Sequence, residues 1–300
     1  MRDSYFRKIG RNNLFDYMNI FGMIIIMIVM VYPLWYSIIG SLNEGMDYMR
    51  GGVYLLPRKL TFSNYEAIFY DRSILKAFMV TLGKCTAGTV SSLFLTTLVS
   101  YGMLHPRLIG KKLYIPYLML PMFFGGGLIP YFILIKNMGL YNRFLVYVIP
   151  GLFSIWNMII IQSFMRELPA SLFESAKIDG AGEYRIFFNL VLPLSKPVLA
   201  AIVLFTFVGH WNSYFDSLMY TSSSDLQTIQ LFLKKLITDP SASERMGNTA
   251  RQVLPEKAVQ ITPQTMKLAA MTATALPVVC IYPFLQRYFV SGVMIGAIKG

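Results

Sequence analysis

The residues able to do chemistry gather in two places. The first is His210-Trp211-Asn212-Ser213-Tyr214-Phe215-Asp216, where an imidazole, an amide and a carboxylate alternate with aromatic rings. Rings can lie on the C–H faces of a polyhydroxylated solute while His210, Asn212 and Asp216 bond its hydroxyls, so the set suits recognition of a sugar-like molecule. Trp211 and Tyr214 at the end of an apolar run also serve as interfacial anchors or packing, and both readings stand. The second place is Glu174-Ser175-Ala176, followed by Asp179-Gly180 and Leu192-Pro193. Catalysis finds no footing elsewhere. The two histidines, His105 and His210, lack an H-E-x-x-H frame, and Cys85 and Cys280 lack metal-ligand spacing. There is no catalytic set, no metal set and no G-x-x-x-x-G-K-S/T phosphate loop, so the chain reads as non-enzymatic, with no cofactor of its own.

The elements that position these residues must lie in a bilayer. Of the 300 residues, 55% are hydrophobic and only 14% charged, about half the charge of an average soluble domain. Apolar runs of roughly 18 residues or more, enough to cross the hydrocarbon core, occur at 17–43, 77–104, 113–135, 144–165, 197–215 and 268–286. None alternates as a barrel strand would, so the fold expected is all-α: a polytopic membrane protein of six helices in one domain, 1–300. Lys84 is the one formal charge inside the second run. It reads either as an ion relay or, more simply, as a lysine that snorkels or pairs with a carboxylate in the bundle. The formal charge of +12 is topology rather than nucleic-acid affinity, because no basic domain stands outside the runs.

Basic residues of short flanks orient such a chain. Arg2, Arg7, Lys8 and Arg11 precede the first run, and Arg107, Lys111 and Lys112 follow the second, which places both termini and the segment 166–196 in the cytoplasm. The segment 220–267 is then external. It contains an amphipathic stretch, Leu226–Ile237, that reads equally as a peripheral helix on the membrane or as a contact for another protein.

Within 166–196 the local signals are dense. Ser171 with Glu174 three residues on resembles a capping box, giving a short helix through Ile178. Asp179-Gly180 supplies a turn, a second short helix covers Glu183–Leu190, and Leu192-Pro193 ends it. The product is a helix-turn-helix elbow between the fourth and fifth spans. Leu172, Phe173, Ile178, Tyr184, Ile186 and Phe187 are expected to face a partner's groove, with Glu174 and Asp179 free to meet basic groups there.

The triplet Glu174-Ser175-Ala176, three residues, Gly180, nine residues and Leu190-x-Leu192-Pro193 resembles the EAA loop of binding-protein-dependent ABC importer permeases, whose usual pattern is EAA-x3-G-x9-I-x-LP. Ser175 and Leu190 are conservative departures. Gly292–Gly300 and Ser195-Lys196-Pro197 are similar to the carbohydrate branch that contains the smaller maltose permease subunit, and Gly125-Gly126-Gly127-Leu-Ile-Pro130 resembles its oligosaccharide and aldouronate-type subgroup. The resemblance implies a type I ABC importer permease in a bacterial inner membrane. It implies as partners a second permease subunit, two ATPase subunits that bind ATP and Mg, and an extracytoplasmic binding protein that delivers an oligosaccharide. In maltose-type relatives the C-terminal tail also reaches between the ATPase subunits. The competing class is a stand-alone secondary transporter, which needs coupling-ion carboxylates within its spans; the six runs contain no acidic residue.

Overall fold

The computed structural model describes residues 14–70 and 72–297, with the side chains of 253, 258–259 and 282–297 excluded. The basic tail Arg2–Arg11 and the C-terminal Ile298-Lys299-Gly300 lie outside the described residues. Among the described residues the regular elements are all helices, joined by turns and loops, with one isolated antiparallel bridge, Asn43 with Leu60. They form two compact units, one of 14–70 with 239–273 and one of 72–238 with 274–297.

In the first unit α1 (Leu14–Ser41) is long and apolar enough to span a membrane, and its apolar window is 0% buried within the chain. After it come α2 (Gly45–Met49) and α3 (Ser63–Tyr70), with α13 (Pro240–Val253) and the start of α14 (Pro263–Ala297) from much later in sequence. Small residues set the approach: a Cβ on Gly40 would lie 2.5 Å from Leu268 Cδ1, and one on Gly45 would lie 2.6 Å from Thr262 Cγ2. Asn43 organises the loop by accepting from the Arg58 and Lys59 amides at 2.8 and 3.1 Å and donating to Asp47 Oδ2 at 3.0 Å. That bond and the Arg58 guanidinium hold the Asp47 carboxyl below its ordinary range.

The second unit is built around α4 (Arg72–Leu104), whose buried face is unusually polar: Thr81, Lys84, Thr89, Ser92, Thr96, Thr97 and Ser100. Small hydroxylated residues let neighbouring helices approach closely and return their protons to backbone carbonyls, as Thr81 does to Ala77 at 2.8 Å and Ser100 to Thr96 at 2.6 Å. Against this face pack α7 (Ile155–Arg166) and α10 (Lys196–Asn212). Before them lie α5 (Lys111–Phe123) and α6 (Leu128–Asn137), and the elbow comprises α8 (Ala170–Ile178) and α9 (Glu183–Leu194). The unit continues with α11 (Phe215–Tyr220) and α12 (Ile229–Thr238).

Three of the expected spans are unbroken helices, and three are bent pairs. The pair α5 and α6 turns by 115°, the 3-10 turns of 144–151 meet α7 at 48°, and α9 meets α10 at 76°. Each break has a local cause. Phe124 is extended and Gly127 takes φ +85°, Pro150-Gly151 tightens the fourth run, and Ser195 precedes Lys196-Pro197 in the fifth. The segment 220–267 holds α12, close to the amphipathic stretch read from sequence, and a second helix, α13, capped by Asp239 through the Ser241 amide at 2.9 Å. The two helices belong to different units.

Candidate functional site

The elbow leaves α7 at Glu167 and starts α8 two residues earlier than the capping-box reading. Pro169 occupies the cap position, so Ser171 lies inside the first turn and makes no cap bond. Gly180 takes φ +75°, as the turn after Asp179 requires, and the Ala181 amide closes it on Ala176 O at 2.9 Å. The second short helix does not stop before Leu192-Pro193. A π turn, Phe187–Val191, widens the helix there and carries it through Pro193 to Leu194, because the looser turn tolerates a residue without an N–H donor.

Ile186, Phe187 and Val191 are buried against Ile161 and Met165 of α7 and Leu199 and Ile202 of α10. Phe187 also meets the Tyr101 ring of α4, centroids 5.4 Å apart. Ile186 and Phe187 therefore belong to the elbow's own core rather than to a partner's groove, and Phe173 packs against the same cluster. Leu172, Ile178 and Tyr184 remain outside, the last two 85% and 80% exposed. Glu174, Ser175, Asp179 and Gly180 are exposed beside them, Ala176 is half-buried, and Leu192 packs against the core with Pro193 in the same turn. The elbow thus has an inner face fused to three membrane helices and an outer face of apolar and acidic groups.

The second set lies at the far end of α10. Trp211 is 1% exposed, edge-on to Phe78 at 5.7 Å and stacked on Phe207 at 6.3 Å, and its Nε1–H donates to Thr274 O at 3.2 Å. Here the packing reading describes the indole. His210 lies over Gly88, where a Cβ would come within 2.7 Å of Nε2. Asn212 and Tyr214 are exposed, and the Lys234 ammonium sits 4.1 Å from the Tyr214 ring centroid. Asp216 is the carboxylate that Lys84 finds: Nζ reaches Oδ2 at 3.1 Å and Ser213 O at 3.1 Å, with the Tyr147 ring centroid 5.0 Å away. Ser213 Oγ donates to the same Oδ2 at 2.7 Å. The pair is local to α4 and the α10–α11 corner, and no spacing in the sequence links its two members.

In the second unit, broken candidate spans, a polar-faced helix α4 and an elbow with an exposed outer face occur together. The family model for binding-protein-dependent transport system inner membrane components matches residues 113–295, and the chain belongs to that family. It is a multi-pass inner-membrane permease of the carbohydrate ABC importer type, a non-catalytic subunit that works with a binding protein and an ATPase. Protein LplC of Bacillus subtilis (strain 168) is 32% identical over 293 residues, 98% of this chain and 97% of that protein. The polygalacturonan/rhamnogalacturonan transport system permease protein YtcP of the same organism is 33% identical over 295 residues, 97% of this chain and 100% of that protein. A chain of a bacterial ABC transporter involved in the import of the acidic polysaccharide alginate superposes with a TM-score of 0.86 at 27% identity, covering 92% of this chain and 96% of that one.

Proposed function

We propose that this chain forms one half of the translocation path for an oligosaccharide, paired with a second related permease subunit and driven by two ATPase subunits that bind ATP and Mg. Its termini and elbow lie in the cytoplasm, and the segment 220–267 lies outside, on the side of the binding protein. The observation that carries the reading is the two-faced elbow. Ile178 and Tyr184, 85% and 80% exposed, are large apolar groups that a docked subunit would cover, with Glu174 and Asp179 exposed on the same elbow for basic groups on that subunit. The inner face joins α4, α7 and α10, so a push on α8 would be delivered to three membrane helices. Along the path, Asn212, Tyr214, Asp216 and the edge of His210 are the groups offered to sugar hydroxyls, with Trp211 holding the corner behind them. The relatives named for polygalacturonan, rhamnogalacturonan and alginate transport support an oligosaccharide as the solute.

The reading is tested by co-purifying the permease pair with its ATPase subunits from membranes. Ile178→Asp together with Tyr184→Ala is expected to strip the ATPases while leaving the permease inserted. Retention of both ATPases on that variant overturns the docking assignment, and uptake driven by an ion gradient with no ATPase present would favour the secondary transporter instead.

A further inference from the structure

The elbow carries Glu167, Glu174, Asp179 and Glu183, and among the described residues only Glu183 has an internal ion pair. Its Oε2 accepts from the Tyr101 hydroxyl of α4 at 2.5 Å. Its Oε1 lies 3.4 Å from Lys177 Nζ on α8 and 3.5 Å from His105 Nε2, just beyond the end of α4. One carboxylate at the first residue of α9 therefore joins α8, α9 and the end of α4.

Packing joins α4 to α9 along the membrane side of the elbow, but leaves space between the end of α4 and α8. Between the end of α4, the end of α7 and α8 there is a cavity of about 350 Å3 lined by Tyr101, Leu104, Met165, Phe173, Lys177 and Glu183. On the other side of the carboxylate a cleft of about 580 Å3 is lined by Tyr101, His105, Arg107, Ile109, Tyr114 and Glu183. Apolar contact transmits displacement only where atoms touch, and a gap of this size forfeits those contacts. Glu183 lines both voids and bridges the strip between them. The covalent chain links the elbow to α7 and α10 directly, whereas α4 is reached through the Phe94–Phe188 and Tyr101–Phe187 ring contacts, through Leu93, Leu98 and Leu104 against the elbow's core, and, at its end beside α8, through this carboxylate.

We propose that Glu183 is a positioning residue that clamps the elbow to α4, so that displacement of α8 by a docked subunit carries the end of α4 with it. The proposal rests on the ATPase-docking reading above. Charge-assisted bonds from Tyr101 and Lys177 give the clamp direction as well as strength, since they pull on one carboxylate from α4 and α8 at once.

The test uses the assembled transporter, co-expressed with its ATPase subunits, with Cys280→Ser and nitroxide labels on Ser171→Cys in α8 and Ile109→Cys beyond α4. Pulsed electron resonance reads the label separation without nucleotide and with ATP and Mg trapped by vanadate. The separation is expected to stay constant between the two states when Glu183 is present and to shift in Glu183→Ala, with Glu183→Gln intermediate because an amide still accepts from Tyr101. Tyr101→Phe, which removes one hydroxyl near the end of α4, is expected to shift it too and serves if Glu183→Ala does not assemble. A constant separation in Glu183→Ala and Tyr101→Phe overturns the clamp, as does a separation that already shifts with Glu183 in place. Failure of the ATPases to co-purify with the unsubstituted chain overturns the docking reading instead.

Discussion

Two ion-pair sites on α4 use similar groups for different ends. At Lys84 the ammonium is 0% exposed and meets one carboxylate, one carbonyl and one aromatic face. Seventeen residues further along, about 25 Å at 1.5 Å per residue, Tyr101 meets Glu183, whose side chain is 46% exposed. In the first site only the ammonium is enclosed, its Asp216 partner being 37% exposed, and it is the buried charge that makes the pair a condition of the fold. In the wet site water competes with every bond, so the carboxylate adds little stability and its value lies in where it holds three elements. Burial, more than the kind of bond, separates a structural lock from a mechanical link.

The largest expected effect tests the dry side. Asp216→Ala leaves Lys84 buried beside only a carbonyl and a ring, and thermal unfolding of the purified complex should show a loss of about 3–5 kcal/mol. Lys84→Met combined with Asp216→Leu should recover most of that loss, since an apolar pair of similar volume needs no partner. If the single and the double variants unfold alike, the lock description fails. Next comes the approach of α4 to α10: Gly88→Ala places a Cβ 2.7 Å from His210 Nε2 and should cost about 1–3 kcal/mol by overpacking unless the imidazole turns away. On the wet side, Glu183→Ala should change stability by under about 1 kcal/mol, and added salt should shrink the difference.

The smallest effect is a pH dependence. Glu183 is held below its ordinary 4.5, first by the Tyr101 hydroxyl and then by Lys177 and His105. A depressed carboxyl contributes stability that is fully present above 4.5 and is lost as pH falls through the depressed value. Melting curves of the unsubstituted chain and Glu183→Gln should therefore differ at pH 6 and converge under more acidic conditions. A gap that widens on acidification reverses the assignment.

What the sequence made legible was local. Asp179-Gly180 marked a turn because a positive φ there needs glycine, and Gly180 adopts it at +75°. The length of each apolar run showed that a crossing was available. Hydropathy has no direction, however, so the 115° break at Gly125–Gly127 looked like a continuous run. Ile186 and Phe187 were read as outward because the elbow's large apolar residues were assigned together to a partner; the sequence does not show that Ile161, Met165, Leu199 and Ile202 of the flanking helices cover these two. For Lys84 a carboxylate partner could be inferred from cost alone, but nothing in the chain singles out Asp216 among the acids. Trp211 shows the same limit, since a ring at the end of a run has the same spacing whether it faces a path or Thr274.

The distance in sequence between Lys84 and Asp216, 132 residues, has a consequence for how the protein is made. A ribosome adding about 5–20 residues per second needs roughly 7–26 s to reach Asp216 after Lys84 has been synthesised. For that interval α4 must wait at the insertion machinery or in lipid with an unpaired ammonium, at a cost of about 2.5–3.5 kcal/mol if it reaches the bilayer centre. Completion of the α10–α11 corner ends the wait. The ion pair thus closes late: a chain that ends before residue 216 has no Asp216 to meet the Lys84 ammonium.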